Sequence, residues 1–110
     1  MAKVYAPQIP SRFDPGSGLW IPSVDLAPAE QFGEMVHCLP PGASRLHTGQ
    51  LVVALREKMA TFEPGDYVIA VGDPSLISAA SIIAYKKVGY LQLLKWDRLG
   101  RVYIPVVIKP

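Results

Sequence analysis

Cysteine, histidine and long apolar runs are what this sequence has least of. Cys38 is the only cysteine, which excludes an intrachain disulfide and a thiolate metal cluster. A single cysteine in such a chain is expected as a small buried side chain at the end of a strand. His37 and His47 are the only histidines, and with Cys38 they show no metal-ligand spacing. A Cys/His nucleophilic pair would need tertiary folding to unite them and a third group to orient the base. No apolar stretch reaches the roughly 18 residues that span a bilayer, and Met1-Ala2-Lys3-Val4-Tyr5-Ala6-Pro7 lacks the apolar stretch of a signal peptide. These absences lead to the expectation of a soluble cytosolic protein with no membrane partner, no metal and no cofactor.

What is present describes a packed domain. Half of the residues are hydrophobic and 18% are charged, far from the profile of a disordered chain. A length of 110 residues fits a single domain over 1–110. Within it, 1–32 reads as an extended or β-hairpin segment and 33–110 as an α/β core. The eleven prolines fall mainly in the first 41 residues and at the C-terminus, which suggests irregular edges around a regular middle.

A basic-aromatic-Asp motif is written twice. Arg12-Phe13-Asp14 is followed by Gly16, Gly18 and Trp20-Ile21-Pro22-Ser23-Val24; Lys95-Trp96-Asp97 is followed by Gly100 and Tyr103-Ile104-Pro105-Val106-Val107. A strand end, a glycine-bearing turn and a returning β-rich strand make a β-hairpin, and proline confines the returning strand to an edge or a bulge.

Between the two hairpins, Asp25 to Gln31 suits a short helical turn and Glu34 to Leu39 a short strand. Thr48 is a good N-cap for a helix to about Phe62, because Leu51, Val52, Leu55, Met59 and Phe62 share one face. Tyr67-Val68-Ile69-Ala70-Val71 reads as a central strand buried on both faces. Asp73 then caps, and Pro74 opens, a second helix that ends at Gly89. Apolar residues run almost all round that helix, so heavy burial is expected. The fold class is therefore α/β, a small mixed sheet with a β-α-β-α-β-β core preceded by a β-rich N-terminal segment. With right-handed crossovers and sequential strands, both helices share one face. The other face is left to the N-terminal segment or to a second chain, and a homo-oligomer, most simply a dimer, is expected.

Two regions could carry chemistry. Gly72-Asp73-Pro74-Ser75 joins a parallel strand to a helix, where ligands of open α/β sheets bind; Gly72, Asp73 and Ser75 are its candidate ligand-binding residues. Its structural reading is a capped, proline-initiated helix. The second region is the basic C-terminal hairpin. From Lys86 to Pro110 six basic residues face Asp97 alone, a net +5, whereas residues 1–85 carry five basic and eight acidic side chains, a net −3. Lys95, Trp96, Arg98, Arg101 and Tyr103 form a candidate surface for nucleic acid or another partner. Its bland reading is a solvated edge that resists aggregation.

At Tyr5-Ala6-Pro7-Gln8-Ile9-Pro10-Ser11-Arg12, Val71-Gly72-Asp73-Pro74-Ser75-Leu76-Ile77 and Leu93-Leu94-Lys95-Trp96-Asp97-Arg98 the chain resembles small, functionally unassigned proteins of tailed bacteriophages. The resemblance implies a viral protein acting in the host bacterial cytoplasm and brings no active-site residues. The leading functional expectation is a non-enzymatic phage accessory protein that self-associates or binds a phage or host macromolecule. Nucleic-acid binding through the basic hairpin, and a small-molecule site or enzyme at the Gly72–Ser75 turn, are the alternatives.

Overall fold

In the computed structural model, residues 2–42 and 48–110 are described. Five strands form the main sheet in the order β4-β1-β5-β6-β7: β1 (Lys3–Gln8), β4 (Glu34–Leu39), β5 (Tyr67–Ile69), β6 (Leu91–Asp97) and β7 (Val102–Ile108). The first four named in sheet order are parallel, and β7 returns antiparallel along the edge. Strands β2 (Ser11–Asp14) and β3 (Leu19–Pro22) make a separate antiparallel hairpin. A 3-10 helix spans Ala27–Phe32, and the helices are α1 (Thr48–Lys58) and α2 (Pro74–Val88).

The expected mixed α/β class is found, but β1, drawn from the segment expected to precede the core, lies inside the sheet. Pro7 disguises it, because proline argues against an interior strand. The register explains the exception. β5 pairs with β1 only at Val4 and Tyr5, and the β1–β4 pairs skip from Ala6 to Gln8, so Pro7 falls where the ladder does not need its missing N–H.

Strand order fixes the layers. The chain steps from β1 to β4 in one direction, then crosses back over β1 to β5 and on to β6 in the other. Right-handed crossovers therefore put α1 and α2 on one face and the β1–β4 connection on the opposite face. Side-chain alternation follows. Tyr5, Val68 and Leu91 pack under Leu55, Met59, Leu76 and Ile83, while Val4, Ile69, Leu94 and Tyr103 pack under Ala29, Leu26 and Phe32. The N-terminal segment thus covers the second face within one chain. Each fully buried Leu or Met contributes roughly 1.5–3 kcal/mol.

Both helix ends of α2 match the sequence. Asp73 Oδ1 accepts the Ser75 N–H at 2.8 Å, and Gly89 closes the helix at φ +84° with its N–H on the Tyr85 carbonyl. Asp25 likewise accepts the Ala27 N–H at 3.1 Å at the start of the 3-10 helix. Helix α1 ends at Lys58, short of Phe62; the chain continues in turns, with Phe62 donating to the Met59 carbonyl, and both side chains stay buried. The Thr48 side chain and His47 lie outside the described residues.

The expectation that α2 is buried almost all round is corrected. Leu76, Ala80, Ile83 and Ala84 face inward, but Ile82 and Tyr85 are 59% and 44% exposed. A helix lying on a sheet beside one other helix has a third side, and apolar composition alone cannot fill it.

Candidate functional site at the carboxyl edge of the sheet

All four parallel strands end along one edge: β4 at Leu39, β1 at Gln8, β5 at Ile69 and β6 at Asp97. Three strand spacings separate the outer two, about 14 Å. Over this edge lie three adjoining cavities. The middle one, about 560 Å3, lies between Gln8–Ser11, Ser23, Pro41 and Gly72–Pro74. One neighbour, about 450 Å3, is bounded by Trp20, His37, Pro40 and Lys58 and shares Ile9, Ser11 and Pro41 with the middle cavity. The other, about 460 Å3, is bounded by Asp25, Ala70, Trp96 and Tyr103 and shares Ser23 and Gly72 with it. Together they form one trough with a tryptophan at each end.

The middle of the trough is where β1 and β5 lie side by side and the chain leaves them in opposite directions. That is the switch point at which open α/β sheets bind ligands. Gly72 and Asp73 line the middle cavity, whereas Ser75 is not one of its walls and takes part only through the N–H that Asp73 accepts, in the geometry of a capped helix. Gly72 has φ +95°, and a Cβ there would lie 2.5 Å from the Gln8 carbonyl oxygen, so only glycine lets the β5–α2 turn close against β1. The Asp73 carboxylate is engaged by the Ser75 N–H, and Leu76 and Ile77 both donate to the Asp73 carbonyl. The donors of the first helical turn are largely satisfied by the protein itself.

His37 and Cys38 also border the trough, on opposite sides of β4: His37 is exposed and Cys38 buried. Burial pushes the Cys38 thiol up to about 11, against the opposing pull of the Lys58 ammonium. It is a protonated core thiol at neutral pH, unlike an activated nucleophile.

The candidate residues of the basic hairpin separate. Strand alternation places Lys95 on the α1/α2 side and Trp96 on the other. Trp96 is 37% exposed and tilts against Tyr103 across the ladder, with ring centroids 4.9 Å apart. Tyr103 is only 3% exposed and donates its hydroxyl to the Asp25 carbonyl at 2.9 Å, so it ties together the trough wall of which it is part. Its pKa is raised, first by burial and then by the Asp25 charge. Arg98 and Arg101 are exposed in the turn beyond Trp96.

The repeated motif proves to be a repeated turn. In the first hairpin Asp14 accepts the Gly16 N–H and the Ser17 hydroxyl on its carboxylate, and the Gly18 N–H on its carbonyl. In the second, Asp97 accepts the Leu99 and Gly100 N–H groups on its carboxylate and the Arg101 N–H on its carbonyl. Each turn lies beyond a cross-strand aromatic pair, Phe13–Trp20 in one and Trp96–Tyr103 in the other. The β2–β3 hairpin leans over the β4 end, with Trp20 against Gly42, and the β6–β7 turn stands at the other end. The sequence marks Trp20 and Ser23 only through their place in the repeated motif and Asp25 only as the start of a helical turn, none of them as a site residue.

The family model described as phage Pam3 gp32-like protein matches residues 2–110. The chain belongs to the phage Pam3 gp32-like protein family. It is thus a phage protein, in keeping with the tailed-phage resemblance. No curated protein and no solved structure matches it. The three segments that carry the resemblance supply trough walls: Gln8–Ser11, Val71–Pro74 and Trp96. Among the described residues, no helix is long and apolar enough to cross a membrane, and no group of three or more His, Cys, Asp or Glu side chains is placed to hold a metal ion.

Proposed function

We propose that the protein is a non-enzymatic phage accessory protein that acts in the host bacterial cytoplasm by binding a phage or host macromolecule along the carboxyl-edge trough. The observation that carries this reading is the shape of the trough. Each cavity alone has the volume of a small-ligand site, but the three run together across the sheet between Trp20 and Trp96. An elongated surface with a ring at each end suits an extended partner better than a single small molecule. The chemistry supports the same reading, since the Asp73 carboxylate caps a helix and the Cys38 thiol is held protonated.

Photo-crosslinking residues placed at positions 20 and 96 in phage-infected cells test it. A discrete macromolecular adduct from both positions, unchanged by Asp73→Ala, is expected. A nucleotide or metabolite that raises the melting temperature and loses this effect in Asp73→Ala, with no adduct from either tryptophan position, overturns the reading in favour of a small-molecule site.

Self-association is a second reading, favoured by the exposed Ile82 and Tyr85 on α2. A dimer through that face leaves the trough free. Light scattering on the parent protein and on Ile82→Asp checks it; a monomeric parent removes it.

A further inference from the structure

We infer that the β6–β7 turn is an apolar wedge flanked by two guanidinium groups and that its partner is duplex DNA, entered from the minor groove. The inference rests on the reading of the carboxyl edge as the binding surface and names the partner for one end of it.

The two turns of the molecule form an internal comparison. Both are closed by an aspartate that accepts from the same relative positions, and both place their fourth loop residue at positive φ. In the first turn the four residues are Pro15-Gly16-Ser17-Gly18, so the geometry is achieved with no large side chain. In the second they are Arg98-Leu99-Gly100-Arg101. Arg101 takes φ +54°, the only non-glycine residue at positive φ among the described residues. Leu99 is 98% exposed, more than any other exposed large hydrophobic residue among those described. Neither side chain is required by the turn, and the strained backbone at Arg101 opposes its retention. A strained, exposed residue of this kind points to function at the turn.

Its chemistry selects the partner. Lys95, Arg98 and Arg101 bring three positive charges to this end of the hairpin. The hairpin's own one acidic group, Asp97, engages its carboxylate with the Leu99 and Gly100 N–H groups, and Asp25 faces the Trp96 side of the cavity rather than the turn itself. An anionic polymer fits that charge. Minor-groove proteins insert a single apolar side chain between base steps while flanking cations engage phosphates. The ribbon body is too wide for a groove about 6 Å across, but a tip carrying one leucine is not. A membrane surface is the weaker fit, because one exposed leucine and three cations fall short of the two signals that stable anchoring takes.

The test is fluorescence anisotropy on a labelled duplex of about 25 bp, the single strand of the same length, and vesicles rich in anionic phospholipid, with end-label energy transfer to report bending. The duplex is expected to bind more tightly than the single strand and to bend. Arg98→Ala with Arg101→Gly keeps a permitted turn and is expected to remain folded. Removing two phosphate contacts flattens the salt dependence by about tenfold in affinity between about 50 and 200 mM salt. Leu99→Ala abolishes the bend and leaves the salt slope unchanged. The inference is overturned by equal binding to single strand and duplex, by a bend that survives Leu99→Ala, or by vesicle binding without duplex binding. If the duplex does not bind while the adducts at positions 20 and 96 persist, the DNA assignment falls and the carboxyl-edge reading stands. If the adducts are also missing, both fall.

Discussion

Gly18 and Arg101 occupy the same place in two turns of the same design, at φ +71° and +54°, each donating its N–H to the carbonyl of the aspartate four residues before it. Left-handed backbone costs a non-glycine residue about 1–2 kcal/mol, partly offset by the extra freedom that glycine has in the unfolded chain. Arg101→Gly is therefore expected to leave stability unchanged or raise it by up to about 1 kcal/mol. The reciprocal Gly18→Arg is expected to cost about 1 kcal/mol. Urea denaturation measures both; a clear loss in Arg101→Gly shows that the arginine side chain contributes to folding, contrary to its exposed position.

Asp66 ties the start of β1 to the loop before β5. Its buried carboxylate accepts the Lys3 N–H at 2.9 Å and the Glu63 N–H at 2.8 Å. Asp66→Ala strands two partly buried donors and is expected to cost about 3 kcal/mol. Asp66→Asn keeps one acceptor oxygen and is expected to lose about half as much. If Asp66→Ala loses less than about 1 kcal/mol by denaturant titration, these two bonds do not anchor the strand.

Cys38 gives stability a pH dependence of known sign. Its thiol is raised from 9.0 to about 11 in the folded protein. Between those values the unfolded chain releases a proton that the folded chain retains, so the contribution is complete below pH 9 and is lost as pH rises toward 11. The loss is expected to reach about 2 kcal/mol by pH about 10.5. Tyr103 is shifted the same way, which makes the difference between the parent protein and Cys38→Ala the informative quantity. Parallel denaturation curves for the two proteins from neutral to alkaline pH contradict the assignment.

Much of the fold is legible because local chemistry writes it. Asp73-Pro74 and Gly89 bracket α2, and the repeated motif marks both hairpins. What hides the rest is tertiary. Pro7 masks β1, and its tolerance depends on where β5 stops pairing, which no local pattern carries. Gly100 draws attention as the glycine of its turn, yet positive φ falls on Arg101; a Cβ at Gly100 would only press on the tip of the Asp97 side chain, and the matching place in the first turn holds Ser17. Gly72, Asp73 and Trp96 are legible as candidates, but of two separate sites; the trough joins them to each other and to Trp20 and Asp25 from the segment between β1 and β4.

Pro105 shows how one residue guards the open edge of the sheet. Ala70 donates its N–H to the Leu94 carbonyl at 2.9 Å, so Leu94 directs its backbone groups toward β5 and away from β7. Its partner in the antiparallel ladder is Pro105, whose backbone nitrogen and carbonyl therefore point outward, away from β6. The missing N–H falls on the free edge of the strand, where an added strand would need a donor. Val102, Ile104, Val107 and Ile108 are all exposed along this edge, so the hydrophobic side of an edge pairing is already in place. Pro105→Val restores the donor without disturbing the β6 ladder. The variant is expected to gain mass in light scattering at high micromolar concentration relative to the parent protein, with far-ultraviolet circular dichroism moving toward more strand. Unchanged mass with unchanged fold overturns the assignment of edge protection to the missing N–H of Pro105.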